Sequence, residues 1–247
     1  MQQMKLVIDI GNTLAKIAVF NESEMIDFIA VPNVSIESLE KLLNTNPHVH
    51  SAIIASVSKI DETLISWLHT RLKVIFLDAS TALPFKNKYQ STTTLGYDRI
   101  AAVAGASSFF PGYDVLVINA GTCITYDLIT YKNEYLGGSI SPGIYMRFKA
   151  MHTFTSKLPF IKPAIETRTE LIGKNTETSI RSGVQNGVLH EVDGIIDKYK
   201  SLFHELKVVV SGGDYKYFDK TLKNNIFATP NIVLKGLNRI HDFNEKK

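Results

Sequence analysis

The sequence predicts an α/β protein of two duplicated lobes, each a mixed β-sheet flanked by helices, and three observations lead there. First, KLVIDIGNTLAKIAVF at Lys5–Phe20 has a weaker copy, LVINAGTCITYDL, at Leu116–Leu128. Each copy runs an apolar strand into a polar residue (Asp9, then Asn119), a glycine two positions later (Gly11, Gly121), a hydroxyl residue (Thr13, Thr122) and a second β-rich run. Second, three strands in succession open both halves of the chain, an order that favours related mixed-sheet lobes over one doubly wound parallel sheet. Third, Pro111-Gly112 closes an alanine-rich helix and marks the best boundary, giving lobes at residues 1–112 and 113–247.

The elements follow in order. Met4–Asp9 and Leu14–Phe20 read as the opening hairpin and Met25–Val31 as a third strand. Ser35 caps a helix through Leu43, with Glu37 and Glu40 favourably placed in its early turns. Ala52–Ser56 is a short apolar strand. Asp61 caps a helix in which Leu64, Ile65, Leu68 and Leu72 recur at helical spacing. Val74–Leu77 is a strand, followed by a polar loop to Gly96, and Asp98 opens the helix Arg99–Phe109. The second half restarts with strands at Asp114–Ala120, Ile124–Thr130 and Glu134–Ser139. Helices follow at Ile144–His152 and Thr178–Leu202, then a strand at Lys207–Ser211 and a short terminal helix from Leu237.

Composition bounds the function. A chain of 247 residues with 45% hydrophobic and 21% charged side chains is of ordinary globular make-up and long enough to bury a core in each lobe. The net charge of +3 is small and spread out, which argues against nucleic acid and anionic membranes as partners. Its basic clusters, Lys86–Lys88 and the terminal Lys246-Lys247, read as solvated faces. The single cysteine, Cys123, excludes an intramolecular disulfide framework and permits a reducing compartment. Met1-Gln2-Gln3 leads straight into a strand without a signal-peptide pattern, and no apolar run reaches bilayer-spanning length, so the expected location is cytoplasmic.

Four glycine-bearing segments are candidates for chemistry. At Asp9-Ile10-Gly11-Asn12-Thr13 a strand ends in a turn whose backbone N–H groups can surround an anion, and Asp9 is placed to hold Mg²⁺ through water. An Asn-Gly-type turn also suits a plain hairpin; the second copy tips the reading to phosphate. In Gly96-Tyr97-Asp98-Arg99 the aspartate suits either an N-cap or a base that takes a proton from a hydroxyl, with Arg99 holding an acidic substrate. Gly137–Gly143, GGSISPG, reads as a structural turn when taken alone. Ser211-Gly212-Gly213-Asp214 lies at a strand's carboxyl end, where adenosine contact and a simple turn are both open.

Other features are decoys. Gly173-Lys174-Asn175-Thr176 resembles the end of a P-loop but lacks the earlier glycine and the preceding apolar strand. The seven histidines show no metal-ligand spacing, and His48 and His50 read as solvated. Cys123 reads as a small buried residue rather than a nucleophile.

Taken together, DIGNT at Asp9–Thr13, GYDR at Gly96–Arg99, NAGTCITYD at Asn119–Asp127, GGSISPG at Gly137–Gly143, GKNTETSIRSG at Gly173–Gly183 and SGGD at Ser211–Asp214 resemble, in that order, the motifs of type III pantothenate kinases. The resemblance spans nearly the whole chain. It implies two ribonuclease H-like lobes of the actin-like ATPase superfamily and transfer of the γ-phosphoryl group of ATP to the 4′-hydroxyl of pantothenate, the first step towards coenzyme A. It also implies a cytoplasmic homodimer using Mg²⁺ and a monovalent cation, K⁺ or NH₄⁺. By position, Asp98 is then the general base, and Tyr89, Gly96, Tyr97, Arg99 and Thr176 contact pantothenate. Asp9, Ile10, Gly11, Asn12, Thr13, Leu14, Ala15 and Lys16 embrace the ATP phosphates, with Thr122 from the second copy.

This chain departs from the pattern at three places. Asn119 stands where the family's aspartate binds the monovalent cation; the amide keeps a carbonyl oxygen and loses the charge. Ser91, Thr92 and Thr94 replace an Asn-Pro and a glutamate, and Tyr97 replaces an alanine. Two rival readings remain. A kinase for another small acid or sugar alcohol would differ in the acceptor pocket around Tyr89, Arg99 and Thr176. A non-catalytic nucleotide sensor or transcription accessory factor would suit Asn119 but not the presence of both Asp9 and Asp98.

Overall fold

The structure, a computed structural model, describes residues 4–164 and 169–245. It forms two compact units, residues 1–109 with 231–247, and residues 110–230. Met1-Gln2-Gln3 and the Lys246-Lys247 pair lie outside the described residues.

In the first unit, β1 (Met4–Ile10), β2 (Ala15–Asn21) and β3 (Glu24–Val31) precede α1 (Ile36–Thr45), β4 (Val49–Ser56), α2 (Glu62–His69) and β5 (Lys73–Phe76). The strand order is β3-β2-β1-β4-β5. Short turns force β1, β2 and β3 antiparallel, while the helical crossovers set β4 and β5 parallel to β1. Leu6, Val7 and Ile8 of β1 and Ile53 of β4 are buried, as central strands covered on both faces require. β3, at the edge, alternates exposed and half-buried residues. The helix starts follow the sequence: Ser35 and Ser38 form a reciprocal capping box, and Asp61 accepts from the Thr63 N–H at 2.7 Å.

The chain continues through a two-residue strand, β6 (Lys86–Asn87), and a 3₁₀ turn at Thr92–Thr94 to α3 (Tyr97–Phe109). Here the sequence reading needs a correction. α3 begins at Tyr97, and the Gly96 carbonyl accepts from both Arg99 and Ile100, so Asp98 sits inside the first turn rather than capping it.

In the second unit, β7 (Val115–Ala120), β8 (Cys123–Ile129) and β9 (Glu134–Pro142) precede α4 (Ile144–Thr153), α5 (Thr176–Arg181) and α6 (Gly187–Leu202); β10 (Lys207–Ser211), α7 (Tyr215–Thr221) and β11 (Phe227–Ala228) follow. Its strands are ordered β11-β10-β7-β8-β9, with β7–β8 and β8–β9 antiparallel and β10 parallel to both β7 and β11. That is the order and polarity of β5-β4-β1-β2-β3. The duplication expected from two short copies thus extends over five strands in each unit. The run expected as one helix from Thr178 begins at Thr176 under an Asn175 cap and widens into a π turn at Ser182–Asn186 before α6.

α8 (Ile232–Glu245) is the largest difference from the sequence reading. It starts five residues before the expected Leu237, and it belongs to the first unit rather than to a lobe running from 113 to the end. The cause is packing. Ile232, Val233, Leu234, Leu237 and Ile240 are buried, and α8 lies on α3 and on β1, β2 and β4. Gly105 of α3 and Gly236 of α8 let the backbones touch: a Cβ on Gly105 would meet the Ile232 carbonyl at 2.6 Å, and one on Gly236 would collide with the Ala101 carbonyl. Asn238 Nδ2 donates to the Glu22 carbonyl at 2.8 Å, and Lys5 pairs with Asp242.

Candidate active site

In the first unit, β1 ends on Asp9 and Ile10, and β2 resumes at Ala15 and Lys16 in register opposite them. Between them Gly11, Asn12, Thr13 and Leu14 form a turn closed by Gly11 N–H donating to the Leu14 carbonyl at 3.2 Å. Asn12, Thr13 and Leu14 are exposed, so the turn presents its polar groups outward. Asp9 is more enclosed. Burial pushes its carboxyl up to about 6, against the attraction of Lys16 and with a further push from the charge of Asp98. Asp9 and Asp98 are thus electrostatic neighbours, one at a strand end and one in the first turn of α3.

Gly96 matters for that placement. A Cβ there would lie 2.5 Å from Asp98 Oδ1, so only glycine leaves the carboxylate folded back over its own helix start. Arg99 is buried, and its guanidinium lies over the Tyr89 ring, 5.4 Å from the centroid. Tyr89, Gly96, Asp98 and Arg99 therefore gather at the start of α3, with Tyr97 half-buried beside them. A cationic group on an aromatic face next to a carboxylate can hold an acidic molecule and accept its proton.

A buried carboxyl raised above its unfolded value costs stability when ionised. That cost is absent below about pH 4 and complete above about pH 6. Asp9→Asn should therefore stabilise the ligand-free protein at pH 7.5 by about 1–3 kcal/mol, a gain that fades as the pH falls to 4. Urea melts at both pH values check this. A variant less stable than wild type at pH 7.5 would mean that Asp9 is satisfied by protein groups and has no need of a cation.

The second unit repeats the hairpin one residue shorter, with Gly121 N–H donating to the Cys123 carbonyl at 2.9 Å. Asn119 occupies the position Asp9 holds, second from the strand end, opposite Thr125 on β8 and Ser211 on β10. Two glycines read from sequence as ambiguous turns become structural parts of this loop. Gly143 donates to the Thr122 carbonyl at 3.0 Å, and a Cβ on it would collide with the Gly121 carbonyl. Gly212, at φ +96°, packs on the Ala120 backbone, and Asp214 N–H donates to the Ala120 carbonyl at 3.1 Å. Burial alone pushes the Asp214 carboxyl up to about 6. Thr122 is exposed at the tip. Cys123 is half-buried, not fully buried as its size suggested, because it borders this turn.

Gly173–Thr176 is no phosphate loop. Asn175 and Thr178 form a capping box, Lys174 N–H donates to Thr178 Oγ1 at 2.9 Å, and Gly173 packs on the Ser179 backbone. Thr176 instead lines an open groove of about 980 Å³ with Arg147, Met151, Phe154 and Gly183 of the same unit. The sequence reading missed the group that fixes Arg147. Glu191 Oε2 accepts from Arg147 Nη2 at 2.6 Å, while its Oε1 accepts from Ser141 Oγ at 2.6 Å and from the Tyr126 hydroxyl at 2.9 Å. Burial would raise the Glu191 carboxyl, but these three donors outweigh it and hold it below its ordinary value. Glu191 lies inside an amphipathic helix with no motif around it, so only contact reveals it. Among the described residues, no helix is long and apolar enough to cross a membrane.

The fold is shared with solved kinases. A glucokinase from an Antarctic psychrotroph superposes with a TM-score of 0.52 at 14% identity, over 98% of this chain and 100% of that one. The ROK family glucokinase of Streptomyces griseus, solved with glucose and AMPPNP, gives 0.51 at 11%, over 99% and 100%. A Campylobacter jejuni chain described as a Baf family transcriptional activator gives 0.61 at 21%, over 98% and 100%. At these identities the likeness is one of fold. The chain shares with them a fold of two glycine-turn hairpins on duplicated mixed sheets.

The sequence comparisons narrow the class. A family described as Type III pantothenate kinase matches residues 5–198. A Bacteroides fragilis protein named type III pantothenate kinase is 46% identical over 242 residues, covering 98% of both chains. One of the same name from Christiangramia forsetii is 45% identical over 243 residues, covering 98% of this chain and 99% of that one. The chain belongs to the type III pantothenate kinase family.

Proposed function

We propose that this protein transfers the γ-phosphoryl group of ATP to the 4′-hydroxyl of pantothenate, which opens coenzyme A biosynthesis. Family membership supports the reaction. The observation that carries the mechanism is the pairing of two carboxylates with different surroundings, Asp9 enclosed at a strand end and Asp98 at a helix start beside buried Arg99. Phosphoryl transfer needs those two jobs done separately, charge neutralisation on the phosphates and orientation of the attacking hydroxyl.

In this reading Asp98 orients the pantothenate hydroxyl and takes its proton, while Arg99 and Tyr89 hold the acceptor with Gly96, Tyr97 and Thr176. The turn from Asp9 to Lys16 offers N–H groups and the Lys16 ammonium to the triphosphate, with Thr122 assigned to the same nucleotide. Asp9 suits a hydrated Mg²⁺, since its enclosed carboxyl gains a counter-charge there; when bound, the ion supplies charge neutralisation on the transferring phosphoryl group. The monovalent cation, K⁺ or NH₄⁺, is assigned to Asn119 through its amide oxygen. A homodimer and a cytoplasmic location belong to the same reading. The exposed apolar side chains Tyr145, Met151 and Phe154 on and beside α4 suit a dimer contact.

An acceptor panel tests the assignment. With MgATP and K⁺, pantothenate should be phosphorylated at least about 100-fold faster than sugars or other small hydroxy acids, because only a matched acceptor pairs the buried polar groups of the pocket. A preference for a sugar would move the protein to the neighbouring class of kinases. Equal rates in K⁺ and Na⁺ would remove Asn119 from cation binding and leave the reaction standing.

A further inference from the structure

α8 and β4 bring together side chains that are far apart in the sequence and unconnected with the hairpins. His241 is fully buried, and neither of its ring nitrogens has a hydrogen-bond partner. Its Nδ1 faces Glu245 Oε2, one helical turn on, at 3.5 Å. The other oxygen of that carboxylate, Oε1, lies 3.7 Å from His50 Nε2 near the start of β4. Asp242 stands beside them, so that ligand atoms of His241, Asp242 and Glu245 all lie within 4.8 Å of one another. All of these residues belong to the first unit.

A buried imidazole normally donates through one nitrogen and accepts through the other, and leaving either unpaired costs roughly 1–3 kcal/mol. No protein group here removes that cost. Asp242 pairs with the buried Lys5 ammonium, which leaves Glu245 as a carboxylate flanked by two imidazoles. We propose that His241, Asp242 and Glu245 bind one divalent transition-metal ion of the zinc class at the last turn of α8, with water completing the coordination and His50 facing the outer oxygen of Glu245. Donors about 2.1 Å from a tetrahedral ion stand roughly 3.4 Å from one another. The 3.5 Å between His241 Nδ1 and Glu245 Oε2 is close to that. Imidazole with carboxylate selects zinc, cobalt or nickel over magnesium and calcium, which take oxygen. Asp242 has lone pairs for both Lys5 and the ion, and Lys5 then fixes its orientation. Side-chain exposures of 35% for Asp242 and 28% for Glu245 leave the ion a way in from solvent.

The test uses the full chain without an affinity tag, stripped with chelator and titrated with Zn²⁺ alone by calorimetry, without nucleotide. One equivalent should bind, and saturating Zn²⁺ should raise the melting temperature by roughly 5 °C. Glu245→Gln, a change at the exposed end of the cluster that leaves the core intact, should weaken binding at least about tenfold and abolish the thermal shift. Asp9→Asn should bind Zn²⁺ as wild type does, which separates this site from the nucleotide's cation. Absence of stoichiometric binding to wild type would overturn the proposal. So would equal affinity in Glu245→Gln and wild type.

Discussion

Replacing Asp98 with asparagine should lower pantothenate-dependent turnover by on the order of 10³-fold, if Asp98 is the base proposed above. The reason is specific to its position. Asp98 is inside the first turn of α3, and Gly96 accepts no side chain that would displace its carboxylate. The amide keeps the shape and loses the negative charge, and with it the capacity to take a proton. MgATP affinity should stay within about threefold of wild type, because an interaction made only in the transition state changes kcat rather than binding. One secondary effect is expected. The charge of Asp98 helps raise the Asp9 carboxyl, so the variant should lower the Asp9 pKa from about 6. Steady-state kinetics with nucleotide binding by calorimetry separates the two effects. Full turnover in the variant removes Asp98 from the chemistry; loss of ATP binding makes it part of the nucleotide site.

The largest stability effect should come from Gly236→Ala. Mid-helix glycine to alanine ordinarily stabilises by about 1 kcal/mol through helix propensity. Here the new methyl group would collide with the Ala101 carbonyl on α3, a backbone group that cannot turn aside as the end of a flexible side chain can. α8 also carries the Asn238 bond to Glu22 and the Lys5–Asp242 pair, so pushing it away breaks more than one tie. The expected net loss is about 2–4 kcal/mol. Gly194→Ala in α6 is the matched control, since that glycine is exposed and its Cβ would meet nothing within 4 Å. It should gain about 0.5–1 kcal/mol. Denaturant melts of the two variants should therefore move in opposite directions. Movement in the same direction would refute the close α3–α8 approach.

Much of this was legible in the sequence because local rules were strong. The duplicated hairpins were read from the recurrence of an apolar strand, a polar residue and a glycine, and the parallel crossovers from capped helices such as those after Ser35 and Asp61. What was missed depends on tertiary contact. Gly236 weakens the local helix signal of α8, and its reason for being there, the approach to α3, has no trace in the flanking residues. α7 and the two-residue β11 are too short to show periodicity. Asp98 was read as opening its helix, with capping and proton transfer both open to it, whereas α3 begins one residue earlier, at Tyr97. The glycines at Gly143 and Gly212 were indistinguishable from ordinary turns until the backbone of the Ala120–Thr122 loop was seen against them. Glu191 and His241 carry no motif at all. Each stands out only through what it touches, or, for His241, through the absence of a hydrogen-bond partner.

The central claim is a particular phosphoryl transfer, and the most direct measurement is the mass of its product. Purified protein incubated with MgATP, K⁺ and pantothenate should yield 4′-phosphopantothenate and ADP in equal amounts, with neither formed when pantothenate is left out. ADP release without a phosphorylated acceptor, or bound ATP that is never consumed, would contradict the account and favour a member of the family that binds nucleotide without using it.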